Sequence, residues 1–141
     1  MRYTTKTACE LLGRDRKQQA DDIASGYCGH VPQAVAGLRY WTGDDLAAEL
    51  FFIDLRRDGY PVRLAGSIAS RLRRAMLEHP EAYALTIVTL ENCNRFALPA
   101  DTLDLSTGWN SGGAIREALT IDTRNLRRRI QQLIEARDEA V

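Results

Sequence analysis

The hydrophobic period of this chain changes at Pro80. Upstream, apolar residues recur at helical spacing, as in "LAGSIASRLRRAMLEHP", where Leu64, Ile68, Leu72, Ala75 and Met76 fall on one face. Downstream, "YALTIVTL" is dense in β-branched and aromatic residues, and "RFALPADTLDL" follows it after the turn-like "ENCN". A chain that switches from a period of about 3.6 to an extended pattern has to pack helices with strands, so the expected class is α+β. Residues 1–80 are expected to form a mostly helical unit, and residues 81–141 a strand-rich region closed by a C-terminal helix. A length of 141 residues suits one domain, or a small domain with an appendage.

Capping signals divide the first half further. "TTKTACELLG" places Ala8, Leu11 and Leu12 on one face, with a threonine at the start and Gly13 at the end. In "DRKQQADDIASG", Asp15 is the expected N-cap with Gln18 in capping-box register, and Ala20, Ile23 and Ala24 are expected inward. The next stretch, "GYCGHVPQAVAGLRYWT", is punctuated by Gly26, Gly29, Pro32 and Gly37, which predicts a loop or irregular hairpin with Leu38–Trp41 as its returning arm. "TGDDLAAELFFIDLRRDG" carries the best-specified helix: Thr42 as cap, aspartates in the first turn, Arg56 and Arg57 in the last, and Leu46, Leu50 and Ile53 on one stripe widened by Ala47 and Phe51.

In the second half, Pro99 places its strand at an edge or a bulge. "STGWNSGGA" reads as a loop, "IREALTI" as a further strand, and "DTRNLRRRIQQLIEARDEA" as a helix capped by Asp122 or Thr123. Leu126, Ile130 and Leu133 on that last helix form a narrow seam, the expected dimer contact.

Composition narrows the function classes. No apolar stretch approaches the roughly 18 residues of a membrane span. "MRYTTKTACE" has no secretory pattern, so a cytoplasmic location without membrane partners is expected. Cys9, Cys28 and Cys93, odd in number and widely spaced, suit free thiols. The formal net charge is zero, which lends no global attraction to polyanions. Residues 1–80 nevertheless carry twelve Lys/Arg against ten Asp/Glu, and a nucleic-acid surface needs only one basic face.

The order of elements is then informative. Two short helices joined by a tight turn, a glycine-punctuated hairpin and two more helices match helix, turn, helix, wing, an order that seats the second helix in a DNA major groove. The candidate DNA-binding residues are Arg14 in the turn, Arg16, Lys17, Gln18 and Gln19 on the second helix, and Arg39 and Tyr40 in the wing. Arginine and lysine suit phosphates and guanine edges, and glutamine can pair bidentately with adenine. Trp41 is expected to pack inward and hold the wing to the following helix.

"YTTKTACELLG" and "GLRYWTGDDLAAELFFIDLRRDG" resemble the opening helix and the wing-plus-helix of MerR-type winged-helix DNA-binding domains, over roughly the first half of the chain. The resemblance implies a recognition helix at Arg16–Gln19, a phosphate-gripping wing at Arg39 and Tyr40, and Asp45 with Leu46 opening the next helix. The implied function is sequence-specific binding of double-stranded DNA in transcription regulation, with no cofactor.

Other chemistries find less support. Cys28 near His30, and Cys93 with His79 upstream, lack a glycine-framed elbow or an orienting carboxylate, so no enzyme is expected. Cys28 and His30 would need two further ligands to hold zinc, and no metal site is expected. The alternative from another class is a protein-interaction adaptor, in which the helix-turn-helix-like segment is a structural core and strand edges bind a partner.

Overall fold

The computed structural model describes residues 1–110 and 112–140, and the described residues form an α+β fold of five helices and two antiparallel sheets. A two-residue strand β1 (Tyr3–Thr4) leads into α1 (Thr5–Leu12), which Thr4 caps by accepting from Thr7 N and Gly13 closes. Asp15 caps α2 (Arg16–Ala24) by accepting from Gln18 N, as expected. The reciprocal half of the box is missing, because the Gln18 amide donates to Asp22 Oδ1 at 3.2 Å instead.

The glycine-punctuated segment folds back at Val35–Leu38, whose backbones exchange two hydrogen bonds of 2.7 and 3.0 Å. Ala36 and Gly37 both have positive φ, 53° and 79°, as a two-residue hairpin turn with the twist of its flanking arms requires. Glycine meets that demand freely, whereas alanine does so against its Cβ. The returning arm, β2 (Tyr40–Trp41), pairs with β1 at the chain start, Tyr3 opposite Trp41 and Thr4 opposite Tyr40. Trp41 is fully buried there, and its indole N–H donates to Thr5 Oγ1 at 3.1 Å.

Thr42 and Asp45 form a complete capping box at the start of α3 (Gly43–Arg57), and Leu46, Ala47, Leu50 and Ile53 are buried as their spacing predicts. Phe52 is the fully buried aromatic, while the neighbouring Phe51 is only half-buried. In α4 (Val62–Glu78), Ile68, Leu72, Ala75 and Met76 are buried and Leu64 is half-buried. Gly66 faces the loop after α2 so closely that a Cβ would lie 1.7 Å from the Tyr27 carbonyl oxygen.

The second half builds a four-stranded antiparallel sheet in the order β4-β3-β6-β5 from β3 (Leu85–Leu90), β4 (Arg95–Pro99), β5 (Trp109–Asn110) and β6 (Gly113–Ile121). Pro99 ends edge strand β4, where its missing N–H costs no ladder bond. "IREALTI" is a strand, as expected. "STGWNSGGA" is not all loop: Trp109 and Asn110 pair with Ala114 and Gly113, while Ser111 lies outside the described residues. Asp122 caps α5 (Thr123–Glu139) by accepting from Asn125 N.

The main core draws on both sides of Pro80. It joins Ala8 and Leu11 of α1, Leu46 and Phe52 of α3, Ile68 and Leu72 of α4, Leu85 and Ile87 of β3, and Leu126 and Ile130 of α5. This corrects the expected seam: Leu126 and Ile130 are 3% and 4% exposed inside their own chain, and Leu133 packs half-buried against the same core. No helix among the described residues is long and apolar enough to cross a membrane.

Candidate nucleic-acid interface

Three separate segments converge on a groove of about 510 Å³. Thr4, Thr5 and Lys6 come from the end of β1 and the start of α1; Arg16, Gln19, Ala20, Ile23 and Ala24 from α2; and Gly37 to Tyr40 from the hairpin. The β1–β2 pairing brings them together, because it fastens the returning arm beside the first turn of α1. The candidate reading helix and the candidate wing therefore flank one groove, and Lys6 adds a cation that the helix-turn-helix pattern did not single out.

Beneath the groove, α2 buries polar side chains. Gln19, 2% exposed, donates through Nε2 to Glu49 Oε2 at 3.2 Å and accepts from the Cys9 thiol at 3.1 Å. Asp22 holds the Arg14 guanidinium in an ion pair whose two side chains are each 10% exposed. Arg14 also lies 3.4 Å from Glu49 Oε1, without hydrogen-bond alignment, and its guanidinium sits 5.3 Å from the centre of the Phe52 ring. His30 is fully buried, stacks on Phe52 at 4.7 Å and reaches Glu49 Oε2 at 3.5 Å. Glu49, 1% exposed on the inward face of α3, thus gathers α2, its preceding turn and the following loop.

These contacts reassign several expected site residues. Gln19 lines the groove but is 2% exposed and held by Glu49 and Cys9, and Arg14 is engaged with Asp22; both set how α2 is seated. Ala20 and Ala24, expected inward, are exposed along the groove, and Ile23 is half-buried. Arg16, Lys17 and Gln18 are exposed, but only Arg16 of the three lines the groove. Tyr40 is 45% exposed at the groove's rim. Arg39 is half-buried, and its guanidinium donates to the Pro32 carbonyl, fastening the hairpin to the preceding loop.

Motif reading did not single out Glu49, although it left a signal: a carboxylate three residues after Leu46 stands on an otherwise apolar stripe. Burial, with Glu49 nearby as the next cause, pushes the Cys28 thiol up to about 12 and raises that of Cys9. A raised thiol is the reverse of an activated nucleophile. No group of three His, Cys, Asp or Glu side chains among the described residues is placed to hold a metal ion.

Two arginines of α5 serve the fold. Arg127 pairs with Asp44 at 3.0 Å and Arg129 with Asp54 at 2.8 Å, tying α5 to α3. Arg73 of α4 pairs with Asp45 at 2.6 Å, so the carboxylate that completes the α3 cap also binds a neighbouring helix.

The chain matches no family model and none of the curated proteins.

Proposed function

We propose that this chain is a sequence-specific double-stranded DNA-binding protein of the winged helix-turn-helix kind, acting in cytoplasmic transcription regulation, with α2 as the reading helix and the turn at Val35–Leu38 as the wing. The observation that carries the reading is the shared groove, where Lys6, Arg16, Arg39 and Tyr40 meet from segments far apart in sequence. Cationic and phenolic donors on both walls suit phosphate contacts, and an exposed helix start carrying Arg16, Lys17 and Gln18 suits base edges. Buried Gln19 and Arg14 then act as positioning residues that hold the helix at its angle to the wing. Two copies on two half-sites would extend the recognised sequence, and their contact would lie away from the buried side of α5.

The test is fluorescence anisotropy with duplex DNA over a salt series. Affinity is expected to fall steeply as salt rises, through counterion release. Arg16→Ala is expected to weaken binding and lower the salt slope by about one if it meets phosphate, whereas Gln18→Ala should alter sequence preference by roughly 1–3 kcal/mol per lost base contact. Absence of binding at low salt would remove the DNA reading. It would leave the adaptor reading, which draws its support from Trp109 and Leu105, 65% and 54% exposed around the short strand β5.

A further inference from the structure

The cleft between α4 and edge strand β4 holds a charge arrangement that the DNA reading does not use. Ser67 of α4 has its hydroxyl between two guanidiniums, and Arg71 Nη1 and Arg95 Nη1 each donate to Ser67 Oγ at 3.1 Å. The two nitrogens are therefore no farther apart than the sum of those distances. Further bonds hold both side chains in place: Arg71 Nε donates to the Arg95 carbonyl at 2.9 Å, and Arg95 Nε to Thr89 Oγ1 at 3.1 Å. These bonds hold the two cations beside each other.

No carboxylate among the described residues pairs with either cation. The contrast within the chain is plain, since Arg14, Arg73, Arg127 and Arg129 each pair with an aspartate across elements. Burial, and then the charges of Arg95 and Arg74, lower the proton affinity of Arg71. Arg71 and Arg95 both line a cleft of about 370 Å³, together with Ser70, Arg74, Phe96 and Glu78, and Arg95 also borders a smaller cavity with Thr89 and Glu117, a carboxylate paired with Arg116. The acidic member of the larger cleft, Glu78, is engaged with Arg74 at 3.0 Å. The Nη2 groups of Arg71 and Arg95 make no hydrogen bond among the described residues, which leaves donors for a ligand.

The geometry points to a binding site for a small phosphate-class oxyanion in the α4–β4 cleft, with Arg71 and Arg95 as its paired donors. Guanidinium forks match the oxygen spacing of phosphate, and a dianion between two fixed cations cancels the repulsion that they otherwise sustain. Both arginines are half-buried between a helix and a strand, so a small ligand that enters the cleft reaches them more readily than the backbone of a rigid duplex. The volume lies at the small end of ligand pockets, which run from about 300 to 1,000 Å³.

Isothermal titration at constant ionic strength tests the site, with inorganic phosphate and glycerol 3-phosphate as probes and chloride as the balancing anion. One saturable site is expected, weakened at least about tenfold by Arg71→Gln or Arg95→Gln and unchanged by Arg124→Gln, a surface arginine that stacks on Tyr83. Tighter binding of glycerol 3-phosphate assigns the site to phosphomonoesters, and equal or tighter binding of phosphate assigns it to the free anion. Because either substitution also removes bonds between α4 and β4, the unaltered protein supplies a second readout. The Nε–Hε resonances of Arg71 and Arg95 should move on phosphate titration while that of Arg124 stays in place. Lack of saturable uptake, equal weakening by Arg124→Gln, or uniform movement of all arginine resonances would overturn the proposal.

Discussion

Glu49, Gln19 and Cys28 carry most of the residue-scale chemistry beneath α2. A carboxylate taken out of water is tolerated where donors and cations surround it, and Glu49 has Gln19, Arg14 and His30 within 3.5 Å. Burial and the charge of Glu49 both favour the neutral form of the neighbouring thiol. Cys28 keeps its proton to about 12, against 9.0 for an unperturbed thiol. A group whose folded value is raised contributes stability below its unfolded value and loses it as pH rises toward the folded one. Stability is therefore expected to decline between pH 9 and 12, and Cys28→Ala should flatten that decline. Urea melts of both proteins at pH 8 and pH 10.5 check this, and parallel losses in the two would count against it.

At the scale of elements, α2 shows where pattern reading stops. "RKQQADDIA" holds few apolar residues, and an amphipathic reading turns Ala20, Ile23 and Ala24 inward. The helix instead buries Gln19 and Asp22, because partners on α1, α3 and the α1–α2 turn satisfy them. Spacing reports which residues share a face; it does not report that a polar face has found partners. Helix α4 depends on a different local constraint. Gly66→Ala would ordinarily favour a helix by up to about 1 kcal/mol. Here the added Cβ meets a backbone carbonyl, so a net destabilisation of about 1–3 kcal/mol is expected. An unchanged or raised urea midpoint would show that the 27–29 loop yields without cost.

For the whole molecule, the decisive contact is α5 on α3. The two halves that differ in hydrophobic period share one core, joined by Leu126 and Ile130 and flanked by the Arg127–Asp44 and Arg129–Asp54 pairs. Leu126→Ala is expected to cost about 2–5 kcal/mol as a buried cavity, with no change of molar mass at constant concentration. Denaturant midpoints and light scattering measure the two separately. A small stability loss accompanied by a fall in mass would restore Leu126 to an intermolecular seam.

What was legible in the sequence is what local chemistry determines. Asp15 and Thr42 cap the helices read for them, because a side-chain oxygen three residues before a backbone N–H suffices to satisfy it, while the structure picks Thr4 among the opening threonines and Asp122 over Thr123. The periods of α3 and α4 and the extended character of β3, β4 and β6 follow from spacing and β-branching alone. The burial of Trp41 was legible too, from an aromatic set just before a capped helix. Only the tertiary structure decided that β2 returns to the chain start, that Arg14 and Gln19 face inward, that α5 completes its own chain's core, and that Arg71 and Arg95 meet at Ser67. Each of those depends on groups brought together from distant positions, so its energy resides in pairs and not in either residue's own neighbourhood.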